Sequence, residues 1–156
     1  MKNVLLIVLM VTITSCYGQR RAYKNVTEKN GKIGIGTTAP DELLTVKGTI
    51  HTREVKVDLE GAVAPDYVFE TYFEGVSSLK PEYSLMPLQE LGSYLEKNKH
   101  LPNIPAAKTL ETEGLDLKKM NLLLLEKIEE LTLYTLEQQK QIEALKKELE
   151  HIRSQQ

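Results

Sequence analysis

The spacing of apolar residues divides the chain into segments of different period. Between residues 32 and 59 apolar and polar residues alternate, most clearly at 44–50 and 54–59. A period of two is typical of half-buried strands, so we expect short strands in this segment. A segment this short buries little apolar surface alone, and it therefore needs the residues that follow, or further copies of itself, as packing partners.

Residues 61–114 have no single period and predict a small α/β cap. Leu88, Leu91 and Leu95 recur at helical spacing, and Pro87 suits the first turn of such a helix. An aromatic cluster in the same region is expected to anchor the core of the cap; it consists of Tyr67, Phe69, Tyr72 and Phe73.

A proline-rich connector follows this helix at 100–105, with the sequence His-Leu-Pro-Asn-Ile-Pro. Each proline restrains its own backbone and that of the preceding residue, so the helix cannot continue through the connector. We expect a rigid segment that packs Leu101 and Ile104 against the cap.

From residue 115 to 156 apolar residues follow a heptad repeat. The a positions are Asn121, Ile128, Thr135, Ile142 and Leu149, and the d positions are Leu117, Leu124, Leu131, Gln138, Leu145 and Ile152. We call these eleven positions the seam. Eight of the eleven residues are aliphatic. The pattern predicts a long helix in a coiled coil, because a buried Leu or Ile contributes roughly 1.5 to 3 kcal/mol that an unpaired helix would forgo.

Polar seam residues and apolar residues outside the seam refine this prediction. Asn121, Thr135 and Gln138 are polar layers that adjust the register of the coil, and leucine at d would permit a dimer as well as a trimer. Apolar residues outside the seam are expected to pack against the cap; they are Met120, Leu122, Leu123, Leu125, Leu133, Tyr134 and Leu136.

The first 18 residues resemble a signal peptide. A basic start precedes an apolar run from Val4 to Thr14, which is shorter than the roughly 20 residues that a membrane-spanning helix needs. Residues 13–16 resemble the lipobox of bacterial lipoproteins, in which case residues 1–15 are removed and Cys16 becomes a lipid anchor. Cleavage after Gly18 is the alternative and would release a soluble chain. In both cases residues 19–31 form a polar tether.

Composition argues against several classes of function. The 156 residues include 20 Lys and Arg against 22 Asp and Glu, a formal net charge of -2, so no basic field favours nucleic acid. A single cysteine forms neither an internal disulfide nor a multi-thiolate metal site. The three histidines are isolated in the sequence, at positions 51, 100 and 151. We therefore expect no metal and no cofactor.

Two short patterns resemble catalytic or nucleotide-binding motifs but lack their context. Residues 34–39 match the G-x-G-x-x-A form of a dinucleotide fingerprint, yet no long buried strand precedes them and Pro40 follows. Asp66, a serine at 77 or 78, and His100 could be named as a hydrolytic triad, but no nucleophile elbow surrounds either serine. The sequence therefore predicts a protein that is not an enzyme.

One part of the sequence resembles a known family. Residues 31–40 and 44–50 resemble the element G-x-x-G-I-G-T-x-x-P…L-x-V-x-G of phage tail-fibre and related surface proteins. With residues 54–57, 65–69, 100–105 and 127–134, the chain resembles the tail-fibre-domain proteins of Bacteroidetes over about 30–145. The layout is similar to the trimeric intramolecular chaperone that ends phage tailspikes. The resemblance implies a homotrimeric, non-enzymatic surface module.

The chain departs from this family in two places. Residues 61–64 are Gly-Ala-Val-Ala where the family usually has a tryptophan, so packing there is expected to be looser. Some related modules cut themselves at a serine, but residues 51–56 contain none, so no self-cleavage is expected.

Together these features predict an α+β fold in five parts. They are a signal peptide at 1–18 or 1–15, a tether at 19–31, a tail-fibre-like β element at 32–60, an α/β cap at 61–114 and a coiled coil at 115–156. The expected function is that of an exported, trimeric structural or adhesive protein, secreted or held at the cell surface through a lipid anchor in the outer membrane. The alternatives are a self-processing chaperone-like module with a nucleophile near residue 50, and a carbohydrate-binding surface lipoprotein.

Overall fold

A computed structural model describes residues 24–155, which form two compact units that meet in sequence after Val55. The strands are β1 (Val26–Lys29), β2 (Lys32–Ile35) and β3 (Leu44–Val46), and the helices are α1 (Tyr67–Glu74), α2 (Leu88–Asn98), α3 (Ala107–Glu113) and α4 (Leu117–Ser154). A small sheet followed by helices confirms the predicted α+β class.

The predicted signal peptide, with Cys16, lies outside the described residues. Within residues 24–155, no helix has both the length and the apolar character that crossing a bilayer requires.

The first unit is a three-stranded sheet in the order β1-β2-β3. The first two strands form an antiparallel hairpin, and Asn30 and Gly31 both take positive φ at its turn, 53° and 76°. Such a two-residue turn matches the twist of the strands it joins. The polar tether predicted for 19–31 is therefore wrong at Val26–Lys29, which form a strand. The strand is mostly polar, so only the Asn-Gly pair that follows it indicates a hairpin in the sequence.

The third strand pairs in parallel with the second, and a tight loop connects them. The Thr45 hydroxyl closes this loop, because it donates to Asp41 Oδ1 at 2.6 Å and accepts the backbone N–H groups of Asp41 and Glu42 at 3.1 Å. The hydrogen bond from Thr45 lowers the pKa of the Asp41 carboxyl. Residues 37–43 contain no helix, so the pattern at 34–39 is a strand and loop rather than a dinucleotide fingerprint.

Gly36 is required by the close approach of two backbones. It has a φ of 73°, and an added Cβ would lie 2.8 Å from the carbonyl oxygen of Lys47. We expect Gly36→Ala to destabilise the sheet by about 1 to 3 kcal/mol. Hydrogen exchange of the Lys47 amide, which bonds to the Ile35 oxygen at 2.9 Å, would report the loss. Gly48→Ala is the control, since nothing lies within 4 Å of its added Cβ. Equal protection in the two variants would contradict the prediction.

The strand expected at 44–50 is formed only at Leu44–Val46, and the strand expected at 54–59 is not formed. These residues lack regular structure, and Val55, Val57 and Leu59 remain 63%, 42% and 46% exposed. A strand exists only when a neighbour supplies its hydrogen bonds, and the described chain offers no partner strand here. Alternation of apolar and polar residues therefore predicted a conformation that the single chain cannot complete.

The second unit begins at Lys56 and contains all four helices. The helix predicted from Leu88, Leu91 and Leu95 is confirmed as α2, which begins directly after Pro87. The connector at 100–105 is non-helical, as expected.

The two connector residues expected to pack differ in exposure. Ile104 is half-buried, as predicted, whereas Leu101 is 39% exposed, contrary to its expected packing.

The core of this unit lies where α1 meets α4. Tyr67 and Val68 of α1 pack with Leu133 of α4, and four partly buried residues surround them; these are Phe69, Tyr72, Tyr83 and Leu85. The predicted aromatic core is thus confirmed except at Phe73, which is 69% exposed because it lies on the outer face of the short helix.

The long helix is confirmed to within two residues of its predicted start. Asp116 caps α4, and its side chain accepts the backbone N–H of Lys119 at 2.9 Å. The 38 residues give a length of about 57 Å at 1.5 Å per residue.

Candidate assembly surface

The seam of α4 is exposed along its whole length. All eleven predicted positions are exposed; they are Leu117, Asn121, Leu124, Ile128, Leu131, Thr135, Gln138, Ile142, Leu145, Leu149 and Ile152. The exposed fraction of the eight aliphatic residues ranges from 44% at Leu124 to 64% at Leu145. The structure therefore brings these side chains together as one uncovered stripe, which is apolar except at Asn121, Thr135 and Gln138.

The cap covers the opposite face of the same helix. Glu126, Glu129, Leu133 and Tyr134, at heptad positions f, b, f and g, are the buried residues of α4, with exposures of 1% to 9%. In a simple coiled coil positions b and f point away from the seam, and position g lies beside it. Packing of the cap therefore leaves the seam free for other partners.

The prediction for apolar residues outside the seam is largely confirmed. Leu133 and Tyr134 are buried, and the three upstream residues Met120, Leu122 and Leu123 are half-buried. It is wrong for Leu125 and Leu136, which are 41% and 45% exposed. Leu125 is at position e, beside the seam, and Leu136 is at position b, two turns beyond the buried Glu129, which has the same heptad position.

A buried carboxylate fastens the cap to α4. Glu126 Oε2 accepts a hydrogen bond from the Tyr67 hydroxyl and lies 3.4 Å from Lys80 Nζ. Its Oε1 lies 2.9 Å from Lys127 Nζ and 3.4 Å from Asn103 Nδ2. Burial alone would raise the pKa of Glu126, but the hydrogen bonds from Tyr67 and Lys127 and the charges of both lysines lower it to about 2. The carboxylate is thus held ionised by groups from the cap and by Lys127 of α4 itself.

A second set of polar bonds fixes the segment between α1 and α2. Glu130 accepts from Lys127 at 2.8 Å and from the Tyr83 hydroxyl at 3.2 Å, and the Tyr134 hydroxyl donates to the Met86 oxygen at 2.5 Å. Burial and the Glu130 charge raise the pKa of Tyr83. Because these bonds are directional, they define which face of α4 the cap occupies.

Glu129 is the exception in this network. It is 6% exposed, and within residues 24–155 its Oε2 has no hydrogen-bond partner. Burial, followed by the charges of Asp66 and Glu126, raises the pKa of this carboxyl. An unpaired buried charge destabilises the packing around it.

Sequence reasoning missed both buried glutamates, since positions b and f normally face solvent. The apolar residues at neighbouring off-seam positions were the available signal that a cap covers this face.

Two polar seam side chains bond within their own helix. Asn121 Nδ2 donates to the Leu117 oxygen and Thr135 Oγ1 to the Leu131 oxygen, both at 2.8 Å. These bonds satisfy both donors although the two side chains are exposed. Their role in setting the register of a coiled coil stays a prediction.

The sheet of the first unit has an uncovered apolar face of its own. The register aligns Val26, Ile35 and Val46 in one row and Glu28, Ile33 and Leu44 in the next, so this face carries five apolar residues and one carboxylate. Val26, Ile33, Ile35 and Leu44 are 37% to 58% exposed. This small unit alone does not bury its apolar residues, as the sequence predicted.

A groove runs beside the seam, and the sequence did not indicate it. One wall is formed by Leu88 and Leu91 of α2 with Leu101 and Pro102 of the connector, and α4 forms the other wall from Leu124 to Gln138. Its volume is about 410 Å³. The exposure of Leu101 is explained by this groove, whose walls depend on the tertiary placement of α2.

Two of the residues considered for a hydrolytic triad, Ser77 and His100, contact other groups. The Ser77 hydroxyl donates to the Glu70 carboxylate and accepts the Leu79 N–H at 3.1 Å. His100 Nδ1 lies 3.0 Å from the Leu101 oxygen, and its ring packs edge-on against Tyr94. In the part of the chain described here, no three His, Cys, Asp or Glu side chains are placed to share a metal ion.

Comparisons with known proteins supply no relative from which a role could be transferred. The chain matches no family model, no curated protein and no solved structure. The exposed apolar surfaces of the two units therefore provide the evidence for function.

Proposed function

We propose that this protein is an exported, non-enzymatic structural or adhesive protein that assembles into a trimer through a coiled coil of α4 helices. The observation behind the proposal is the exposure of eight aliphatic seam residues on a helix whose opposite face is already covered by the cap. Export rests on the signal-peptide pattern at 1–18, and Cys16 would supply a membrane anchor if it bears more than one acyl chain.

The size of the apolar stripe supports self-association. From Leu117 to Ile152 it extends about 52 Å along the helix. Monomeric soluble proteins rarely expose contiguous apolar patches larger than about 300 to 600 Å², and larger ones mark interaction sites. A heptad stripe is complementary to another heptad stripe, so a second copy of α4 is the partner that fits it best.

The apolar face of the sheet supports the same partner. Once copies are joined through α4, their sheets are held at a high effective concentration. Contacts between sheets of different copies would then cover Val26, Ile33, Ile35 and Leu44, which the first unit leaves exposed.

Three copies are proposed because of the resemblance to tail-fibre-domain proteins. Isoleucine at a with leucine at d, as in Ile128 and Leu131, also suits a two-stranded coil. The number of strands therefore has to be measured.

Light scattering coupled to size exclusion would test the proposal on the exported protein carrying Cys16→Ser, which removes the lipid anchor. We expect a molar mass three times that of one chain. Twice the chain mass would retain the coiled coil and reject the trimer. The mass of a single chain would contradict self-association altogether.

A further inference from the structure

We infer that neighbouring copies are also joined by a second contact, in which the groove beside the seam of one copy receives Leu125 and Leu136 of the next copy. We call these two residues the flank leucines. The inference rests on the proposed function, because it requires α4 helices of different copies to lie side by side.

The groove lies on one defined flank of the seam. Lys127 and Tyr134, which line it, occupy heptad position g, and Leu124, Ile128 and Leu131 of the seam form its floor. The far wall is apolar, and its leucines at 88 and 101 are 45% and 39% exposed in the single chain. The groove therefore widens the apolar stripe on the g side only.

The flank leucines lie on the other side of the same helix. Leu125 is at position e and Leu136 at position b, and within the described chain the cap leaves them 41% and 45% exposed. In a parallel coiled coil, the g flank of one helix faces the e flank of its neighbour. Each groove is thus directed toward the side of the adjacent copy that carries Leu125 at e and, further from the seam, Leu136 at b.

The positions along the helix also agree. The α4 wall of the groove runs from Leu124 to Gln138, about 21 Å. In an in-register neighbour both flank leucines fall within that length. Leu88 also borders a cavity lined by Tyr134 and Glu137, which places it level with the turn that contains Leu136.

Residues at g and e favour the parallel arrangement. In register, each g residue faces the e residue five positions further along its neighbour, which pairs Met120 with Leu125 and Glu148 with Arg153. The remaining g and e pairs include no two like charges; they are Lys127 with Thr132, Tyr134 with Gln139, and Gln141 with Lys146. An antiparallel pair that keeps all heptads in contact would instead place Lys118 of one helix near Arg153 of the other. These two positive charges would repel each other.

The contact joins two different surfaces, so it continues from copy to copy until a ring closes. Each copy then offers one groove and one pair of flank leucines. No copy in the closed ring keeps either surface exposed.

Disulfide trapping would test this contact in the full exported chain carrying Cys16→Ser. Copies with Leu88→Cys are mixed with copies with Leu136→Cys and oxidised with copper phenanthroline. We expect a disulfide that links the two kinds of copy. The matched control replaces Leu88→Cys with Leu79→Cys, because Leu79 is also 45% exposed but does not line the groove. The control pair is expected to link at least about tenfold more slowly.

A second variant measures the contribution of the contact to affinity. Replacing both flank leucines with serine leaves the seam intact and should raise the dissociation constant of the assembly at least about tenfold. Full assembly without an 88 to 136 link, or an unchanged dissociation constant, would overturn the groove contact and leave the coiled coil standing. A single-chain mass for the protein without substitutions at 88, 125 or 136 would instead overturn the proposed function and this inference together.

Discussion

Replacing Ile128 and Leu131 with aspartate is expected to reduce the assembly to single chains. The two residues are adjacent a and d layers and are 59% and 63% exposed in the single chain. In an assembled seam each aspartate would be removed from water beside aspartates of the other copies. Burial of an unpaired charge costs several kcal/mol, and each copy would contribute two. Light scattering should therefore report the mass of one chain.

The same substitutions should leave the folded unit intact, because neither side chain belongs to the core of Tyr67, Val68 and Leu133. Circular dichroism would check this. Val76→Asp with Leu79→Asp is the matched control, since these residues are 59% and 45% exposed and lie outside α4. An unchanged assembly mass in the Ile128 and Leu131 variant would show that the seam assignment is wrong.

Substitution of the two buried glutamates is expected to change stability in opposite directions. Glu126→Gln removes a charge that Tyr67, Lys80 and Lys127 stabilise, so the free energy of unfolding should fall by about 2 to 3 kcal/mol at neutral pH. Glu129→Gln removes an unpaired charge, so the free energy of unfolding should rise by about 1 kcal/mol. Urea unfolding in the Ile128→Asp, Leu131→Asp background measures both changes without a contribution from assembly.

The pH dependence follows from the two pKa shifts. The pKa of Glu126 is lowered from 4.5 to about 2, so its stabilising effect is complete above 4.5 and is lost as the pH falls toward 2. The pKa of Glu129 is raised, so its destabilising effect is absent below its ordinary value and grows as the pH rises through the value in the folded unit. Both variants should therefore approach the stability of their background at low pH. Changes of the same sign at neutral pH would contradict the assignment of the network.

The long helix could be predicted because its signal is local and repeated. Five heptads with aliphatic residues at most a and d positions leave little choice of structure, and Pro87 marks the start of the shorter helix α2 in the sequence. The α+β class follows from the same change of period.

The structural features that the sequence did not predict depend on contacts between residues distant in sequence. Val55 and Val57 alternate like a strand, but strand formation requires a neighbour that the described chain does not supply. Glu126 and Glu129 have the spacing of a solvated helix face, and only the tertiary packing of the cap makes them buried. The groove could not be predicted for the same reason. Leu101 and the leucines of α2 form one wall of the groove only because tertiary structure places them side by side.

The cap packs against only part of α4, and this bears on how chains would assemble. The upstream half of this helix packs against the cap of its own chain, whereas residues 139–154 are exposed on all sides. Starting a helix is the unfavourable step, and a short unsupported helix is marginal in water. In the proposed assembly we therefore expect the cap to provide the nucleus. Folding within one chain would come first, pairing beside the cap second, and ordering of residues 139–154 last.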